Sequence, residues 1–134
     1  MRDVAILAAV KAAKSDRNYP AAKGGDASQA ATLVQNLIGL DEVASVRELL
    51  AGQRPIVCPV HALETAGVNE IPLALAVALA QALTLQVETS IIQVSTAGHT
   101  GARGWHRLAN PAIFSGDVVP VSYTHLTLPT KRIV

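Results

Sequence analysis

Aromatic side chains are nearly missing: one Phe, one Trp and two Tyr in 134 residues. A sandwich core filled with rings is therefore excluded, and the core has to come from aliphatic side chains, as in close-packed helices on a sheet. There is a single cysteine, Cys58, so no internal disulfide can form, which agrees with a reducing compartment and predicts a cytoplasmic protein. Charge of one sign is lacking too. Eleven Lys and Arg against ten Asp and Glu leave a formal charge of +1, with none of the basic stripe that a nucleic-acid partner calls for. Long apolar runs are absent as well: Gln81 and Thr84 interrupt the longest one before it reaches the roughly 18 to 20 residues of a membrane span. Arg2 and Asp3 do not suit a signal peptide, so neither secretion nor membrane insertion is expected.

What the chain does have is apolar content at half its residues, much of it Ala, in a length of about one domain. The organising stretch runs from Arg54 to Val94. Pro55-Ile56-Val57-Cys58-Pro59-Val60 reads as a short strand buried on both faces. Ile71 to Leu83 combines strong helix formers with Pro72 in the first turn and predicts a helix. Leu85-Gln86-Val87 and Ile91-Ile92-Gln93-Val94 return to strand patterns. The simplest arrangement is a βαβ crossover, which implies parallel strands.

Upstream, three helices are expected. Asp3 to Lys14 is amphipathic. A loop with Gly24-Gly25 follows from Ser15 to Gly25, and Asp26 caps a helix through Leu33, Val34, Leu37 and Ile38 to Gly39. The third runs from Asp41 as cap to Gly52. Downstream, Ser95 to Gly116 holds Gly98, Gly101 and Gly104 without periodicity and predicts a long loop of the kind that serves as a lid.

Two clusters could carry chemistry. The segment from His61 to Glu70 leaves the carboxyl end of the first strand and enters a helix N-terminus, the place where open α/β sheets bind anions. Its candidates are His61, Ala62, Glu64, Gly67 and Asn69. The bland alternative is an ordinary connection in which Gly67 takes a positive φ and Asn69 caps the helix. The second cluster contributes His99, Thr100, Gly101, Arg103, His106 and Arg107, together with Trp105. It reads as a flap offering cations and an aromatic face to an anionic or ring-bearing ligand, or else as a solvated loop anchored by Trp105. Cys58, His61, His99 and His106 lack the close spacing of a structural zinc motif, and Cys58, mid-strand, reads as a core hydrophobe rather than a nucleophile. No metal site and no catalytic residue is assigned.

Arg54-Pro55-Ile56-Val57-Cys58-Pro59-Val60-His61-Ala62, Asn69-Glu70-Ile71-Pro72-Leu73-Ala74, Gly98-His99-Thr100-Gly101 and His106-Arg107-Leu108-Ala109-Asn110 together resemble the N-terminal half of a type I phosphoribosyltransferase-like domain, over roughly Asn18 to Val119. The resemblance implies an α/β, three-layer parallel-sheet phosphoribosyltransferase-like fold, truncated, with N-terminal helices. It implies that His61 to Asn69 acts as a pyrophosphate loop and Gly98 to Asn110 as a hood. It also implies a parent glycosyltransferase that binds phosphoribosyl pyrophosphate and Mg²⁺ and transfers the phosphoribosyl group to a nitrogenous base, and it admits a homodimer. The family's strand ending in two adjacent acids, followed by a Thr- and Gly-rich loop, is missing; Asp117 stands alone. The fragment itself is then expected to be inactive. The competing readings are a non-catalytic nucleotide or phosphosugar module and a structural oligomerisation domain.

The last fourteen residues, Val121 to Val134, differ abruptly in composition, being rich in Thr and free of Gly, Ala and acids. They resemble a translated sequencing adapter. The expected division is an incomplete domain over 1–120 and a non-native tail over 121–134, with the native protein continuing past Pro120. Few packing contacts are expected for that tail, although Tyr123 to Leu128 has the β propensity of an edge strand. Without Lys131 and Arg132 the formal charge becomes −1.

Overall fold

The computed structural model describes residues 4–64, 67–94, 113–116 and 123–126. The chain begins with α1 (Val10–Ser15) and α2 (Tyr19–Lys23). α1 starts later than the apolar pattern predicts. Ala9 supplies no side-chain cap, and Val4 and Ile6 are exposed, so of the residues ahead of α1 in the expected apolar stripe only Leu7 is buried. α2 lies inside the expected loop, started by Pro20 in its first turn and packed through the fully buried Ala22. Asp16 makes the turn between the two. Its Oδ1 accepts from the backbone N and Nδ2 of Asn18, both at 2.8 Å, and its Oδ2 accepts from Nδ2 of Asn36 in the next helix at 2.9 Å.

That helix, α3 (Ala27–Leu37), has the anticipated cap: Asp26 Oδ1 accepts from the Gln29 backbone N at 2.9 Å. α4 (Leu40–Leu50) takes Gly39 rather than Asp41 as its cap residue, because Glu42 reaches back and its Oε2 accepts from the Gly39 N at 2.8 Å. The left-handed Ala51 and Gly52 end it.

β1 (Ile56–Pro59), α5 (Ile71–Leu83) and β4 (Gln86–Val87) form the crossover that the sequence predicts, with Ile56 opposite Gln86 and Val57 opposite Val87 in parallel register. Arg54 locks its base by donating from Nη2 to the Thr84 carbonyl at 2.7 Å. On the other side of β1 lies β7 (Tyr123–Leu126), parallel, with Ile56 opposite Tyr123 and Pro59 opposite Leu126. The first sheet is thus β4-β1-β7, and the tail segment supplies one of its edges, the position that its β propensity allows.

A second sheet, ordered β3-β2-β5-β6, contains β2 (His61–Glu64), β3 (Gly67–Val68), β5 (Ile92–Gln93) and β6 (Phe114–Ser115). Only the β2–β5 pair is parallel; β2–β3 and β5–β6 are antiparallel. This corrects the expected three-layer parallel sheet. The strands run two to four residues, and the break at Val60 lets β2 leave the β1 ladder and pair with β5. Among the described residues the structure is a helix-rich mixed fold with two small sheets.

Two apolar clusters hold the helices together. Leu7, Val34, Val46, Leu75 and Leu79 form one, and Ala22, Ala30, Leu33 and Ile71 the other. Both contain residues of α5, the helix that also packs against β1 and β4. Burying such side chains stabilises by about 1.5 to 3 kcal/mol apiece for the larger ones, so α5 is the fold's central post.

Candidate functional site

The expected pyrophosphate loop is a β-hairpin. Leu63 faces Val68 and Glu64 faces Gly67 across its antiparallel ladder, while His61 and Ala62 pair with Ile92 and Gln93 of β5. Among the described residues of that segment, the backbone of 61–64 and 67–68 is thus paired in two ladders. Gly67 has φ +119, and a Cβ there would lie 2.8 Å from the Gly24 carbonyl oxygen. A Cβ on Gly25 would meet the Val68 carbonyl oxygen at 3.4 Å. The Gly24-Gly25 turn and the hairpin thus touch backbone to backbone, a contact in which side chains have no room.

The start of α5 is similarly engaged. Asn69 Oδ1 accepts from the Ile71 N at 3.1 Å, Pro72 has no N–H, and the Glu70 N donates to the Ala22 carbonyl at 3.2 Å. An anion at this helix end would find these three donors engaged or missing. His99, Thr100, Gly101, Arg103, His106 and Arg107 lie outside the described residues, as do the side chains of His61, Ala62 and Glu64. The expectation that His61 to Asn69 and Gly98 to Arg107 lie at the same end of the sheet falls outside the described residues too.

Cys58 is buried in β1, and burial, reinforced by the charge of Glu88, pushes its thiol above the ordinary range. A thiol held protonated is a poor nucleophile and suits the core role its mid-strand position predicts. Among the described residues no group of three or more His, Cys, Asp or Glu is placed to hold a metal, and no helix is long and apolar enough to cross a membrane.

The feature that reasoning from spacing does not single out is a groove of about 300 Å³ between α3 and α5, lined by Ala31, Val34, Leu73, Ala74 and Val77 among others, with Gln35, Glu70 and Gln81 also lining it. The sequence holds only an indirect trace of it. From Ile71 to Leu83 only Gln81 is polar, so the helix has more apolar surface than a single sheet contact can cover.

Comparison with known proteins corrects the family assignment. No family model matches the chain, and no solved structure matches it. The chain is similar to Protein TraN of Escherichia coli, 45% identical over 106 residues, which is 79% of this chain and 24% of that protein. It is also similar to an uncharacterized protein of Haemophilus influenzae, 38% identical over 105 residues, covering 78% of this chain and 24% of that protein. The chain therefore spans about a quarter of the length of these curated relatives. Neither relative is a phosphoribosyltransferase by name. The resemblance to that family does not hold, and the phosphoribosyl transfer, glycosyltransferase and nucleotide-metabolism assignments drawn from it fall with it. The alternatives of a nucleotide module or an oligomerisation domain gain no support from the relatives either. Mg²⁺, phosphoribosyl pyrophosphate and a base partner had no other footing than the resemblance. The short strands explain how it misled: a strand, a glycine-containing connection and an Ala-rich helix recur wherever a β1–α5–β4 unit is built.

Proposed function

We propose that this chain is one folded unit of a longer TraN-like protein, and that its part in that protein is to act as a packing module rather than to carry a self-contained catalytic centre. The observation that supports this reading is the pair of matches, each covering nearly four fifths of this chain and only 24% of a much longer relative. A matched stretch of 106 residues in a chain of 134 necessarily takes in α4, β1, α5 and β4, so the central post of the fold lies within it. The physical support is the local chemistry. Asp16, Asp26, Glu42, Arg54 and Asn69 each make a hydrogen bond that fixes a turn or a helix end.

Exchange of parts tests it. Escherichia coli TraN, the same protein lacking its matching quarter, and a chimera carrying residues of this chain in that place would be compared by size-exclusion chromatography and thermal unfolding. The chimera is expected to be monodisperse and to melt in one cooperative transition as intact TraN does, while the deletion protein aggregates or melts earlier. Separate melting of the grafted unit, or a deletion protein indistinguishable from the intact one, would sink the packing-module reading.

A further inference from the structure

A helix apolar on every side is ordinarily buried on every side. α5 buries Ile71, Leu75, Ala76, Leu79 and Ala80, yet Val77 on its opposite side is 39% exposed. Val77 borders the α3–α5 groove, whose lining by Ala31, Val34, Leu73 and Ala74 is small-to-medium aliphatic. Ala31, the small exposed residue on the α3 side, leaves the groove open to a neighbouring segment. Glu70 brings a negative charge to its lining and Gln35 and Gln81 bring amides, while among the described residues no Lys or Arg lines it.

We infer that this groove is the docking seat for an amphipathic segment of the TraN-like polypeptide outside the matched stretch, one that presents an apolar stripe flanked by basic or amide side chains. The inference rests on the reading of the chain as part of a longer protein. Two observations select that occupant. About three quarters of each relative lies beyond the match, so covering polypeptide exists in the relatives. Glu70, the one formal charge among the described lining residues, favours a basic flank over an acidic one, since a carboxylate brought to this site would repel it.

Accessibility at Val77 tests the seat. Val77→Cys would be placed in the 134-residue chain and in the chimera described above, with the buried Cys58 left as an unreactive internal reference. A maleimide is expected to label the introduced thiol freely in the chain alone and at least about tenfold more slowly in the chimera, as local protection requires. Equal labelling in a well-folded chimera would overturn the docking seat and leave the packing-module reading intact. A chimera that does not fold would overturn both. A second variant, Val77→Asp, is expected to leave the thermal midpoint of the chain alone nearly unchanged and to lower that of the chimera. Equal shifts in the two proteins would also overturn the seat. Adding Glu70→Lys to the Val77→Cys chimera is expected to speed its labelling, and no change on reversing that charge would overturn the basic-flank assignment.

Discussion

Gly67 stands against Gly24 so closely that a single methyl group between them would be 2.8 Å from the Gly24 carbonyl oxygen. The turn after α2 and the β2–β3 hairpin are far apart in sequence, and they meet here without side chains. Because the φ of Gly67 is +119, an L-residue there is strained before any clash is counted. Gly67→Ala is expected to cost about 2 to 4 kcal/mol. Urea unfolding followed by circular dichroism measures it, and a loss below about 0.5 kcal/mol would show that the two turns can separate freely.

Asp16 should give the fold an acid limit. Hydrogen bonds from the Asn18 backbone and from Asn36 hold its carboxyl below the ordinary value of 3.8. A depressed folded value means that the unfolded chain takes up the proton first, so this stabilisation is complete above about pH 4 and is lost as pH falls through the folded value. Asp16→Asn is expected to lower stability at neutral pH and to flatten the decline on acidification. Urea midpoints for both proteins between about pH 2 and pH 7 test this, with parallel curves as the contrary result.

Thr84 ends α5 in the left-handed region at φ 56, which a β-branched residue adopts at a cost of about 1 to 2 kcal/mol. The bond it makes to Arg54 uses its backbone carbonyl, so the side chain is dispensable there. Thr84→Gly is expected to raise stability by about 1 kcal/mol, the relief of strain exceeding the added chain entropy. A lowered thermal midpoint would point to an unrecognised role for the hydroxyl.

Cys58 should be silent until the sheet opens. With its thiol pushed up by burial and by Glu88, iodoacetamide at neutral pH is expected to react at the rate of global unfolding and not faster. Rapid modification of the folded chain would mean that β1 is not covered as described.

Much of the local structure could be read from the residues. Asp26 three positions before Gln29 marks one cap, and the uninterrupted helix formers from Ile71 to Leu83 mark both ends of α5, because these signals act within one or two turns of chain. The two sheets could not be read in the same way. Whether β2 continues the β1 ladder or crosses to β5 is decided by partners some thirty residues away, and strands of two residues leave almost no periodic trace. The groove was hidden for a different reason. A wholly apolar helix and a helix with one wetted apolar face have the same composition, and only the packing of α3 beside Val77 distinguishes them.

The place of β1 in the middle of its sheet also sets an order of assembly. Its partner β4 arrives after one crossover, with Val57 and Val87 thirty residues apart, whereas its partner β7 pairs Ile56 with Tyr123 across more than twice that distance. Loop closure makes the nearer pairing the faster one. During refolding, then, one flank of β1 stays bare after the other has zipped up, and a bare strand flank is where two molecules join in error. Dilution during refolding should accordingly raise the yield, and a yield independent of concentration would mean that the late flank is never left open.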